Sequence, residues 1–165
     1  MHLLQPTEYQ PVIASRFALA RAQIQRLLPN AVVEHIGSSA IPGAVSKGDL
    51  DIYVSVAPSD HATSISILRG HGYAEKLDTL RNEHLCMLEW HYPDEAHAVQ
   101  LVARGSPFEM FLVFRDALLA CPALVDEYNQ IKRSAAHLSA TEYRAAKSGF
   151  IERVLRETKS QERAP

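Results

Sequence analysis

An α+β fold, with a small mixed β-sheet flanked by helices and a helical bundle at its C-terminal end, is predicted by three observations. Apolar residues recur at helical spacing near the N-terminus, alternate at period two in short runs between residues 31 and 103, and return to helical spacing from Ser106 onward. Strands gathered first and helices afterwards describe an α+β arrangement rather than a repeating βαβ one. The reading places one domain over residues 1–165, with a sheet-containing core over about 1–104 and a helical part over about 105–158.

The elements follow in order. Thr7 is the expected N-cap of a helix whose apolar stripe is Ile13, Phe17, Ala20, Ile24 and Leu27, stopped at Pro29-Asn30. Residues 31–36, "AVVEHI", form a short strand running into Gly37. Residues 49–56, "DLDIYVSV", alternate so that Leu50, Ile52, Val54 and Val56 share one face while Asp49, Asp51, Tyr53 and Ser55 share the other. Ser59 or Asp60 opens a helix that stops at Gly70. Runs at 84–92 and 98–103, joined by "PDEAH", read as a hairpin. Three helices complete the chain, with "SPFE" and "SATE" as capping boxes at Ser106 and Ser139, prolines 107 and 122 in first turns, and a polar tail that frays after about Thr158.

At 165 residues the chain can bury a core without disulfides or a structural metal. Its 47% apolar and 22% charged composition is that of a soluble globular protein, and a net charge of −2 gives no general attraction to nucleic acid or anionic membrane. No secretory leader or run of about 20 apolar residues is visible, so the expected address is the cytoplasm, without membrane association. Cys86 and Cys121 are expected to be reduced, structural thiols. His84, His91 and His97 match no zinc spacing.

The chemistry concentrates in "HIGSSAIPGAVSKGDLDIYVSV", residues 35–56. Asp49 and Asp51 on one strand face repel each other, and a divalent cation is the usual compensation. Alternate strand residues stand about 6.6 Å apart, close enough for two carboxylates to converge on one Mg²⁺ or Mn²⁺ whose remaining ligands are waters and substrate phosphates. Gly37, Ser38 and Ser39 supply hydroxyls and backbone amides for phosphate in a turn that glycine permits. Gly37-Ser38, ten intervening residues, then Asp49-Leu50-Asp51-Ile52 resembles the signature of the DNA polymerase β-like nucleotidyltransferases.

More closely, "VEHIGSSAIPGAVSKGDLDIYV" together with "FLVFRDALLACPALVDEYNQIKRSAA" and "EYRAAKSGFIERVL" resembles the GrpB-like family of that superfamily, from about Val12 to Leu155. The resemblance implies a nucleotidyltransferase-like sheet with flanking helices. Many members carry an apolar residue at the position of Asp49, so the acid pair here is fuller than the family pattern. It also implies a third acid on a later strand; Glu89 is the candidate if its face turns towards the site, while the neighbouring strand offers Gln100, which cannot act as a base near neutral pH.

Lys47 stands before the acid pair as a candidate for steering a triphosphate. Tyr128 with Lys132, and Tyr143 with Lys147, are i, i+4 pairs on two helices. Either these faces line the cleft, with lysines on phosphate and a tyrosine on a base, or the tyrosines sit half in the core with their lysines reaching outwards. The expected function is Mg²⁺-dependent transfer of a nucleotidyl group from a nucleoside triphosphate to a small-molecule or protein acceptor. Long nucleic acid is not the expected acceptor, since no basic stripe tracks a backbone. The alternative is a module that binds a nucleotide or phosphometabolite without turnover.

Overall fold

The computed structural model describes residues 2–93 and 95–162. Helix α1 spans Pro6–Leu27 and starts two residues earlier than expected: Gln5, not Thr7, is the N-cap, and it forms a capping box with Glu8. Pro6 at the first helical position explains the shift, because its fixed φ is already helical and the amide it lacks would have been unpaired anyway. Strand β1, Val32–Ile36, runs into a 3₁₀ turn at Ser38–Ala40, and β2, Asp51–Val56, follows after a loop. Helix α2, His61–Gly70, leads to the two-residue strand β3, Ala74–Glu75. The hairpin forms as expected from β4, Leu85–Trp90, and β5, His97–Ala103, although Asp94 in its connection lies outside the described residues. Helices α3, Met110–Ala120, α4, Pro122–Ala135, and α5, Ala140–Glu162, complete the chain.

The five strands order as β1-β2-β5-β4-β3, antiparallel except for the central β2–β5 pair. One face packs on α1 and α2 through Ile13, Ile24, Leu68, Ile52, Val54, Leu88, Val99 and Leu101. The other carries Tyr53, Leu85 and Val102 against Phe108, Phe111 and Leu112. Because both faces are covered, Tyr53 and Ser55 are as buried as their apolar neighbours, at 1% and 3% exposure. A third cluster joins Ile41 and Ala44 of the loop after β1 to Leu118, Val125, Tyr128, Phe150 and Val154, tying that loop to the C-terminal helices.

Three sequence expectations change at element ends, and a fourth holds. Asp49 lies before β2, exposed, whereas Asp51 is its first residue and half-buried. The "SPFE" capping box does not form: Glu109 accepts instead from the Gly105 amide at 2.9 Å, residues 107–109 make a 3₁₀ turn, and the buried Ser106 hydroxyl has no partner. The box at Ser139 does form, with the Glu142 carboxylate accepting from the Ser139 amide at 3.0 Å and the Ser139 hydroxyl accepting from the Glu142 amide at 3.3 Å. Where fraying was expected after Thr158, helix continues through Glu162, and the rest of that tail, residues 163–165, lies outside the described residues. Strand β3, too short for any periodicity, had no sequence signal.

Candidate active site

The site is built where β1 ends and β2 begins. Gly37 takes φ +75°, in the left-handed region that side chains other than glycine's avoid. A Cβ at this position would stand 2.6 Å from Oδ2 of Asp51, so the glycine also lets the turn backbone close onto the carboxylate. The Ser38 turn and the acid pair thereby share one cleft of about 570 Å³, walled by Gly37, Ser38, Lys47, Asp49, Asp51 and Gln100 from the sheet side. Tyr128 of α4 and Tyr143 and Lys147 of α5 close it from the helical side. Beyond this polar end, Ile36, Met110, Phe111, Phe114, Ile151 and Leu155 make an apolar end.

The loop between the halves is held from both sides. Tyr9 of α1 donates to the Ala44 carbonyl at 2.7 Å and Gln10 to the Ile41 carbonyl at 2.9 Å. From α4, Asn129 accepts from the Val45 amide and donates to the Gly43 carbonyl. Asn129 is a functional-site neighbour that the sequence reading missed; a short amide side chain between Tyr128 and Lys132 on the inward face of a helix was the available signal.

Charge at the site is unevenly compensated. Burial, then repulsion from Asp49, pushes the Asp51 carboxyl up to about 6, against partial opposition from Lys147 and Lys47. Burial lowers the Lys147 ammonium, with Asp51 and Asp49 acting in the opposite sense. The Lys47 and Lys147 nitrogens stand over the Tyr143 ring at 5.4 and 5.3 Å from its centroid, so this buried ring arrays two cations towards the acids. The second tyrosine is similarly engaged: Tyr128 stacks on Phe150 at 5.0 Å and carries the Lys132 ammonium at 4.3 Å.

The structure separates the other sequence candidates. Lys132 does not line the cleft; at 1% exposure it lies beneath the turn and donates to the Val45 carbonyl and to Ser38 Oγ. Ser39 is buried and bonded to His35 Nε2 at 3.0 Å, while His35 stacks on Phe17, so both anchor the turn from behind. Arg115 pairs with Glu34 and Asp116 and donates to the His35 carbonyl, fixing the end of β1. Glu89 shares a register row and sheet face with Asp51, through Ala98. It opens on a separate hollow beside the acid pair rather than on the main cleft, and its carboxylate is bound by Lys76 at 2.8 Å. Gln100, one step along β5, does line the cleft.

Among the described residues no three His, Cys, Asp or Glu side chains gather so as to hold a metal ion alone. Asp49 and Asp51 nevertheless fit a hard divalent cation of the Mg²⁺ kind: two carboxylates short of positive charge, beside a hydroxyl-lined turn where ligand oxygens would complete the shell.

A five-stranded mixed sheet with a Gly-Ser turn facing an acid pair is a nucleotidyltransferase-like arrangement. The family model described as "GrpB protein" matches residues 5–157, and the chain belongs to that family. It is 47% identical over 155 residues to a UPF0157 protein of Vibrio cholerae, covering 94% of this chain and 82% of that one. A UPF0157 protein of Deinococcus radiodurans is 33% identical over 146 residues, covering 86% of this chain and 75% of that one. Among solved structures, the conserved protein GrpB from Enterococcus faecalis superposes with a TM-score of 0.76 at 23% identity, over 97% of this chain and 98% of that one. The poly(U) polymerase Cid1 with MgGTP bound shares the fold at TM-score 0.50 and 13% identity, over 74% of this chain and 39% of that one. Among the described residues no helix is long and apolar enough to cross a membrane.

Proposed function

We propose that the protein is a metal-dependent nucleotidyltransferase that moves a nucleoside monophosphate group from a nucleoside triphosphate to an acceptor hydroxyl. The observation that carries this reading is the closure of Gly37 onto Asp51, which sets a phosphate-type turn and two carboxylates in one cleft with Lys47 beside them and Lys147 opposite. Asp49 and Asp51 would hold Mg²⁺ or Mn²⁺, which supplies Lewis-acid stabilisation of the charge developing on the phosphoryl oxygens. Ser38 offers its hydroxyl and the turn its amides to the β- and γ-phosphates, and the two lysines on Tyr143 neutralise the remaining charge. The apolar end beyond them, lined by Phe111 and Phe114, accommodates the base, because both faces of Tyr128 and the approaches to Tyr143 are occupied. The acceptor hydroxyl attacks the α-phosphorus in line and releases its proton to solvent, the bond to the bridging oxygen breaks, and pyrophosphate leaves.

A second reading, a nucleotide-binding module without turnover, is favoured by one observation: Glu89, the sequence candidate for the third acid, is neutralised by Lys76. Calorimetric titration of ATP, GTP, CTP and UTP, with and without Mg²⁺ and with Asp51→Asn, tests the site. Absence of binding, or binding indifferent to both Mg²⁺ and the substitution, overturns it. Pyrophosphate release with a panel of small-molecule and protein acceptors then separates turnover from binding alone.

A further inference from the structure

Lys132 is the most deeply buried charged side chain in the described structure, and the groups it touches are neutral. Its nitrogen donates to the Val45 carbonyl and, at 3.3 Å, to Ser38 Oγ, and it lies 4.3 Å from the Tyr128 ring centroid. No carboxylate among the described residues pairs with it, although a buried lysine ordinarily requires one. The turn over residues 38–45 presents only Ser38 and Val45 to it. Its own helix adds Tyr128 and the cation Arg133, and α5 adds the cation Lys147. Asp49 and Asp51, across the cleft, act on Lys147. Burial, then Lys147, then Arg133 lower the Lys132 amine to about 7.

We propose that Lys132 is a positioning residue whose missing counter-ion is the ligand itself: capture of a polyphosphate against Ser38 draws a proton onto the buried amine. The inference rests on the reading of the cleft as a polyphosphate site. An anion hydrogen-bonded to Ser38 stands one hydroxyl away from the nitrogen, within the roughly 4–6 Å over which an opposite charge raises a lysine by about one to three pKa units. The coupling also orients Ser38. A hydroxyl that accepts from an ammonium keeps its own proton for donation, and the Tyr128 oxygen and a ligand oxygen in the cleft are its two acceptors. In the free protein the amine is mostly neutral above pH 7, so the linked anion affinity falls about tenfold per pH unit above 7, up to the raised bound-state value.

The test reads Lys132 directly. In protein carrying ¹³Cε-labelled lysine, the five resonances of Lys47, Lys76, Lys132, Lys147 and Lys159 are titrated with and without saturating metal-free sodium pyrophosphate. Lys132 is assigned by Lys132→Arg or, should that variant not fold, by elimination through the other four Lys→Arg variants. The expected midpoint is near 7 in the free protein, rising by about one to three units with pyrophosphate while Lys159 stays put. A free midpoint near the ordinary lysine value of about 10.4, or no movement while calorimetry registers pyrophosphate binding, overturns the proposal and leaves the polyphosphate reading standing. A protein that binds no pyrophosphate either alone or with Mg²⁺ overturns both. A lysine that serves only to hold the loop would not respond to the ligand.

Discussion

Asn129 accepts a hydrogen bond from the Val45 amide at 2.9 Å and donates one to the Gly43 carbonyl at 2.8 Å, so a single side chain of α4 replaces the secondary structure that this loop lacks. Val45 is fully buried, and its amide has no water to turn to. Asn129→Ala is expected to destabilise the fold by about 2–3 kcal/mol, the cost of leaving buried backbone groups unpaired. Chemical denaturation reads the loss. Hydrogen exchange should accelerate most at residues 43–46, beyond the acceleration that the global loss of stability gives β2 and β5; equal acceleration everywhere would show that the contact is not local.

Gly37 and Gly43 both have positive φ, at +75° and +79°, but only Gly37 abuts the site. Gly37→Ala meets backbone strain of about 1 kcal/mol together with the Asp51 carboxylate at 2.6 Å, which must move. Gly43→Ala meets the strain alone, its nearest atom being Val125 Cγ1 at 4.0 Å. Both variants should melt at lower temperature, while only Gly37→Ala should weaken Mg²⁺-dependent nucleotide binding, by about tenfold or more. Equal losses from the two would remove the special role given to the Gly37–Asp51 contact.

Asp51 links stability to pH with an inverted sign for a carboxylate. Its folded pKa of about 6 lies above the ordinary value, so the folded state binds the extra proton and stability falls as pH rises from about 4 to 6. Above that window the ionised group costs about 3 kcal/mol, a net figure that already includes the partial relief from Lys147 and Lys47. Asp51→Asn is therefore expected to raise the melting temperature at pH 7.5, to change it little at pH 4, and to abolish metal-dependent binding. In the wild type, metal-dependent binding should weaken as pH drops below 6, where the proton competes for the carboxylate. Destabilisation by Asp51→Asn at pH 7.5 would contradict this account.

The Tyr143 ring beneath Lys47 and Lys147 supplies a π-face to both. Tyr143→Phe keeps that face and should change pyrophosphate affinity by less than about twofold. Tyr143→Leu removes two contacts worth about 0.5–1 kcal/mol each, and affinity should fall by up to about five- to thirtyfold by calorimetry. A large loss in the Phe variant would assign the work to the hydroxyl instead.

Local chemistry made much of this protein legible in its sequence. The alternation in "DLDIYVSV" placed β2, the two apolar runs placed the hairpin, and "SATE" placed the start of α5, because each depends on neighbours within a few residues. The Gly37-Ser38 turn and the Asp49-Leu50-Asp51 pair were legible for the same reason, since strand periodicity and turn sterics put both at strand ends. The roles of Lys132, Ser39 and Glu89 were not. Each was a polar candidate, and only packing decided that Lys132 lies beneath the turn, that Ser39 faces backwards to His35, and that Glu89 is bound by Lys76 from beside the neighbouring strand β3. Helical spacing put Tyr128, Asn129 and Lys132 on neighbouring turns, but the loop they hold is separated from them by more than 80 residues of chain. Sequence spacing determined which groups the site has to work with; the docking of α4 and α5 over the β1–β2 loop decided which of them face the cleft, because burial and pairing are set by contacts that short-range patterns do not encode.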